Sequence, residues 1–298
     1  MKKFMAMLLA LTLMACCFAA CNSAPAADQA NPTGNAGGET SGNAASGDAS
    51  SGNAASGETA NDGTETDLTY VQENGTLVVG VTEYEPMDYK DGNGNWTGFD
   101  AELAEMFAKE LGVECEFFVL ANWDKKFMEL DAKTIDCVWN GMTITEEALL
   151  NASVSDPYVI NAQVIVMKAD VVGNYADTDS IKGLTFAVES GSAGEAALVD
   201  LGITGFTALQ DQTTALMEVK AGTADACVID ITMANAMTGE GTNYADLASG
   251  ISLTSEEYGV AFRKDSDLTA KFNDFMAKLI ADGTLQALAD KYQLTLAK

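Results

Sequence analysis

From residue 76 onward, apolar positions fall into two alternating rhythms. Thr76-Leu77-Val78-Val79-Gly80-Val81 is a short, nearly continuous apolar run, the pattern of a buried strand. Asp91-Gly92-Asn93-Gly94 predicts a turn between two hairpin arms, the second carrying Trp96. From Phe99 to Leu111 the apolar residues stand at 99, 103, 106, 107 and 111, the stripe of a helix that Gly112 stops. Further strands are predicted at Cys115–Leu120, Ile135–Trp139, Gln163–Met167, Thr185–Val188 and Ala226–Ile229. Helices are predicted between them at Asp124–Leu130, Ala193–Leu201 and Asp211–Ala221, with two more after Ser266. Strands alternating with helices predict α/β lobes with largely parallel sheets. An internal echo supports two lobes: Lys133-Thr134-Ile135-Asp136-Cys137-Val138 resembles Gly222-Thr223-Ala224-Asp225-Ala226-Cys227-Val228. Each ends in a strand followed by a polar residue, Asn140 or Asp230, and ligands of open α/β sheets lie beyond such strand ends.

The first 67 residues follow neither rhythm. Lys2 and Lys3 precede an apolar run from Phe4 to Ala20, shorter than the ~20 residues of a spanning helix and closed by small residues. Residues 1–20 read as an export signal, and Cys21 at its exit as the acylated thiol of a lipoprotein. Cys16, after Leu13-Met14-Ala15, is the alternative, and a cleaved signal without lipid is the plainer one. Residues 21–67 are Ala, Gly, Ser, Asn and Thr with scattered acids, and Gly42-Asn43-Ala44-Ala45-Ser46-Gly47 recurs at Gly52–Gly57. Such a segment buries too little surface to offset its ordering entropy and reads as a disordered leash. About 45 residues of it span roughly 35–40 Å root-mean-square. This organisation predicts a protein lipid-anchored on the extracellular face of the cytoplasmic membrane.

The formal net charge is −28, and −30 without Lys2 and Lys3, which argues against nucleic acid and against adhesion to an anionic surface. The chain has no histidine, which removes Ser-His-Asp triads and His metal ligands. No cofactor or metal site is implied. Cys115, Cys137 and Cys227 are isolated among apolar residues and read as buried small hydrophobes.

Four segments carry a family resemblance: Gly98-Phe99-Asp100-Ala101-Glu102-Leu103-Ala104, Gly141-Met142-Thr143-Ile144-Thr145, Ser155-Asp156-Pro157-Tyr158 and Ala281-Asp282-Gly283-Thr284-Leu285. With these, the chain from about Gly75 onward resembles the solute-binding proteins of polar amino-acid ABC importers (family 3 type). The resemblance implies a two-lobed periplasmic-binding-protein fold of type II, two hinge strands, and closure on a small polar ligand. Crossings are expected near Gln163–Lys168 and Tyr258–Arg263, with lobe 1 at 68–164 plus 258–298 and lobe 2 at 165–257. The implied protein is a monomer that delivers its ligand to ABC permease transmembrane subunits and is not an enzyme.

The same resemblance implies site residues. Tyr84 matches the aromatic that covers the ligand, where a cation would gain about 0.5–2 kcal/mol from the ring. Gly141 and Thr143 match positions that offer backbone groups and a hydroxyl to a carboxylate. Trp139, one residue before Asn140, reads either as pocket wall or as core beneath it and is counted with the candidates; Trp96 and Trp123 read as structural. The loop Gly191-Ser192-Ala193 opens a predicted helix whose free amides suit an anion, and Asp230 matches the acid that holds an ammonium.

One departure stands out. The family has an arginine where this chain has Ala148, and the single arginine, Arg263, belongs to the expected hinge. Two alternatives follow: a carboxylate held by backbone amides and Thr143, or a ligand that is an amine or another non-amino-acid. A dehydratase-like enzyme of the same fold is a third, with Glu83, Glu189 and Asp230 as its only nearby acids.

Overall fold

The computed structural model describes residues 66–298. The expected signal, Cys21 and nearly all of the expected leash lie outside the described residues. Among those described, no helix is long and apolar enough to cross a membrane.

Helix Asp67–Asn74 comes first, capped by Thr66, whose hydroxyl accepts from the Thr69 amide. Sequence reasoning assigned Asp67 to the leash; instead it accepts from Nε of Arg263 at 2.8 Å and ties this helix to a strand 196 residues away. Lobe 1 is a five-stranded sheet in the order Glu114–Val119, Thr76–Val81, Cys137–Val138, Ala261–Phe262, Ser153–Val154. The first three are parallel and the last two antiparallel to their neighbours, so the sheet is mixed rather than largely parallel. Helix Phe99–Leu111 spans the limits its stripe predicts, ends at Gly112 in the left-handed region, and brings Phe107 against Trp139, Phe262, Phe272 and Phe275. Lobe 2 repeats the plan in the order Phe206–Leu209, Phe186–Glu189, Ala226–Asp230, Gln163–Lys168, Leu247–Ser252, with two antiparallel pairings at its far side.

The crossings lie one short strand earlier than expected on each pass. Gln163–Lys168 belongs wholly to the lobe 2 sheet, pairing with Ala226–Asp230 from Gln163 to Met167. The antiparallel pair that joins the lobes is Val159–Asn161 with Glu256–Tyr258. Val164 to Met167, placed at a crossing by the resemblance, are buried core residues of lobe 2. The chain's last segment adds to this junction: Ile160 donates to the Thr295 carbonyl at 2.8 Å and Ala297 to the Tyr158 carbonyl at 3.0 Å.

Arg263, expected at the hinge, is instead a buried clasp of lobe 1. Its guanidinium donates to Asp67, to Asp136 at 3.0 Å and to the Ile135 carbonyl at 2.7 Å. Replacing it by leucine (Arg263→Leu) strands the buried Asp136 carboxylate, and removing one partner of such a pair costs about 3–5 kcal/mol. Urea unfolding of that variant is expected to show a loss of this size; an unchanged midpoint would contradict the assignment.

Candidate ligand site

Beyond the carboxyl ends of the parallel strands, both lobes border a cavity of about 420 Å³. Thr82, Glu83 and Tyr84 follow strand Thr76–Val81, and Trp123 and Lys126 follow Glu114–Val119. Asn140, Gly141, Met142 and Thr143 follow Cys137–Val138. From lobe 2, Glu189, Gly191, Ser192 and Ala193 follow Phe186–Glu189, Gln212 follows Phe206–Leu209, and Asp230 closes Ala226–Asp230. In a parallel sheet every such strand end points the same way, so the fold alone gathers these loops.

Asp230 is buried and fully engaged. One carboxylate oxygen accepts from the side-chain amides of Asn161 and, at 2.8 Å, Gln163; the other accepts from Gln212. Burial, with the nearby Glu256 charge, pushes its carboxyl up from 3.8 to about 7. Glu189 is also buried and is pushed up to about 8 by burial and then by the Asp230 charge. Among the described residues its Oε1 has no hydrogen-bond partner.

Tyr84 touches both lobes: its hydroxyl hydrogen-bonds with those of Thr232 and Tyr258. Gly141, at φ +56°, lets the ring come this close, since a Cβ there would stand 2.7 Å from the Tyr84 ring. The Gly141 amide donates to Asp100 at 2.6 Å, and Tyr158 donates to the same oxygen. Gly191, at φ +71°, does the equivalent job at the lobe boundary, where a Cβ would lie 2.6 Å from Cβ of Asp124.

Eight of the nine expected site residues border the cavity, and Trp139 does not. Trp139 is completely buried in lobe 1, edge-on to Phe272 with ring centroids 4.9 Å apart, and is core rather than wall. Trp123, expected to be structural, is the tryptophan that lines the cavity, whereas Trp96 packs on Phe117 away from it. Asn140 borders the space, but its amide is turned to Thr82 and Asp88, so it positions a loop. Thr143 spends its hydroxyl proton on Glu256 at 2.9 Å, and the Gly191 amide donates to Glu195 at 2.6 Å. Ser192 caps helix Ala193–Asp200 by accepting from the Glu195 amide, which leaves its own proton available. As at any helix start, the first amides, those of Ala193 and Gly194, have no intrahelical partner.

Ala148 is buried on helix Glu146–Asn151, within the apolar cluster of Trp123, Phe127 and Met142, so no cation enters from there. Sequence reasoning weighed the neighbouring residues, Arg263 and the backbone donors of the Gly191 loop as replacements and missed Lys126, among the described residues the one cation lining the cavity beside Glu83, Glu146, Glu147, Glu189, Asp200 and Asp230. The legible signal was its place just beyond a parallel strand end.

The sequence model of the bacterial extracellular solute-binding proteins, family 3, matches residues 77–295. The chain belongs to this family. The L-cystine-binding protein TcyJ of Escherichia coli strain K12 is 34% identical to this solute-binding protein over 233 residues, 76% of this chain and 85% of that protein. The arginine-binding extracellular protein ArtP of Bacillus subtilis strain 168 is 32% identical, covering 72% and 85%. The crystal structure of the ancestral amino acid-binding protein AncCDT-1, a precursor of cyclohexadienyl dehydratase, superposes with a TM-score of 0.69 at 32% identity. That match covers 76% of this chain and 98% of the other.

The raised carboxyls set the sign of a pH effect. Below about pH 4 Glu189 and Asp230 are protonated whether the chain is folded or not. As pH rises, the unfolded chain loses these protons first, while the folded protein holds them to about 7 and 8. Stability of the free solute-binding protein therefore falls between about pH 4 and 8 and levels above that. Thermal unfolding is expected to show a midpoint several degrees higher at pH 5 than at pH 8, with a smaller difference in Glu189→Gln. A midpoint that rises over this range would contradict the burial argument.

Proposed function

We propose that this solute-binding protein captures an amino acid or a related amine between its lobes and hands it to the transmembrane subunits of an ABC importer. The observation that carries the reading is Asp230: a cavity-lining carboxylate held by three side-chain amides is a ready seat for an ammonium. Relatives named for cystine and arginine binding, matched across most of their length, support the same ligand class. The acid-rich lining favours a ligand whose net charge is positive. The cavity, about 420 Å³, suits one small molecule.

Within this reading the protein works as a monomer, tethered through an acylated Cys21 with residues 21–66 as the leash. Its mature form belongs in the membrane fraction, and Cys21→Ala should release it to the medium; release by Cys16→Ala instead would move the anchor. Capture without turnover is the proposal, and a bound ligand should be recovered unaltered by mass spectrometry. Chemical conversion of it would favour the dehydratase-like alternative.

The central test is a thermal-shift screen of amino acids, amines and small carboxylates, followed by calorimetry on the hits. Cationic amino acids are expected to raise the unfolding midpoint, and Asp230→Asn to weaken them by about 10- to 100-fold, the size of a lost charged hydrogen bond. No shift with any amino acid or amine would end this reading.

A further inference from the structure

Among the charged side chains that border the cavity, two are buried and play no part in the family resemblance, Lys126 in lobe 1 and Glu189 in lobe 2. Lys126 is an unusual lysine, only 5% exposed, with its ammonium 5.0 Å from the centre of the Trp123 ring and 4.9 Å from that of Phe127. Its donors reach the Trp123 carbonyl at 3.4 Å and the Gly191 carbonyl at 3.3 Å, both longer than a good N–H···O bond. Among the described residues no carboxylate comes within ion-pair distance of it, although Glu147, Glu189 and Asp124 act on it from further away. A buried ammonium held by two long carbonyl contacts is under-satisfied, and an anion brought to it would be held strongly.

The carbonyl it approaches belongs to Gly191, one residue before the cap of helix Ala193–Asp200. Lys126 therefore reaches the residue just before the cap of that helix, and it borders the same cavity as Ser192 and Ala193. A lobe 1 cation and a lobe 2 helix start converge on one spot across the lobe boundary.

Glu189 presents the opposite need. Its Oε1 is buried and has no donor, while Asp230 next to it already receives three amides. A cationic ligand donor that reached Oε1 would favour the ionised form of Glu189 and offset the nearby charge of Asp230.

We propose that Lys126 replaces the missing arginine as the partner of the ligand's carboxylate, from a different element, and that Glu189 is a second cation acceptor beside Asp230. The inference rests on the solute-capture reading and deepens it: the ligand is a zwitterion with an additional positive charge. Its carboxylate bridges Lys126 of lobe 1 and the helix start at Ser192 and Ala193 of lobe 2, so that binding and lobe closure are one event. Glu189 distinguishes such a ligand from neutral amino acids, whose side chains offer it nothing.

The test compares each amino acid with its decarboxylated counterpart, by calorimetry on the full-length folded protein: L-arginine with agmatine, L-lysine with cadaverine, L-cystine with cystamine. The parent protein is expected to prefer the amino acid of at least one pair by about 10- to 100-fold. In Lys126→Met that preference collapses toward equality because amino-acid affinity falls while amine affinity holds. Glu189→Gln weakens both members of the pair together and leaves their ratio as in the parent. If Lys126→Met lowers both members equally, or neither, the lysine is only structural and the inference fails. The inference also fails if Glu189→Gln binds both members as tightly as the parent. If the parent protein binds no member of any pair, the failure is that of the solute reading itself. Retained amine binding by Lys126→Met shows that the variant is folded, so a selective loss is not an unfolding artefact.

Discussion

The architecture depends on how one carboxylate is kept out of water. Asp230 ends a buried strand and is surrounded by amides from three places: Asn161 on the interlobe strand, Gln163 on the next, and Gln212 at the start of a helix. Asn161 and Gln163 also donate to Glu256 on the other interlobe strand, at 2.7 Å each. A buried acid without such donors would cost several kcal/mol, so these side chains are fixed by electrostatics rather than by shape. The consequence is geometric. A carboxylate that borders the cavity is tied, bond by bond, to the strands that join the lobes.

A similar economy governs lobe 1. Asp100 holds the Gly141 amide and the Tyr158 hydroxyl, and Asn140 holds Thr82, so the loops facing the ligand are braced from behind. The bracing residues are polar and buried, and they sit among residues that line the cavity without themselves being free to contact a guest. That is why a residue can border the space, as Asn140 does, and still serve a neighbour.

Much of this was legible in the sequence because it depends on local pattern. The stripe from Phe99 to Leu111 and its Gly112 stop are set by helix geometry, and the strand-end positions of Gly141, Ser192 and Asp230 follow from the alternation of strands and helices. The misreadings share another cause: each turns on a partner distant in the chain. Helix Asp67–Asn74 has few apolar residues and follows a polar stretch; what fixes it is Arg263. Lys125 and Lys126 are identical neighbours in the sequence, yet one is exposed beside Asp124 and the other is buried between lobes. Trp139, left open between wall and core, is core, and Trp123, read as structural, lines the cavity, because burial under Phe272 is a property of packing, which spacing does not report.

The segment laid along the interlobe junction at Thr295–Ala297 changes what opening the molecule involves. Tyr158 and Ile160, at the entry to the interlobe pair, are held by a further length of chain as well as by their own strand partner, so any bend at that point has these bonds to deform. Those few residues do this from a distance, since none of them borders the cavity that Asp230 closes.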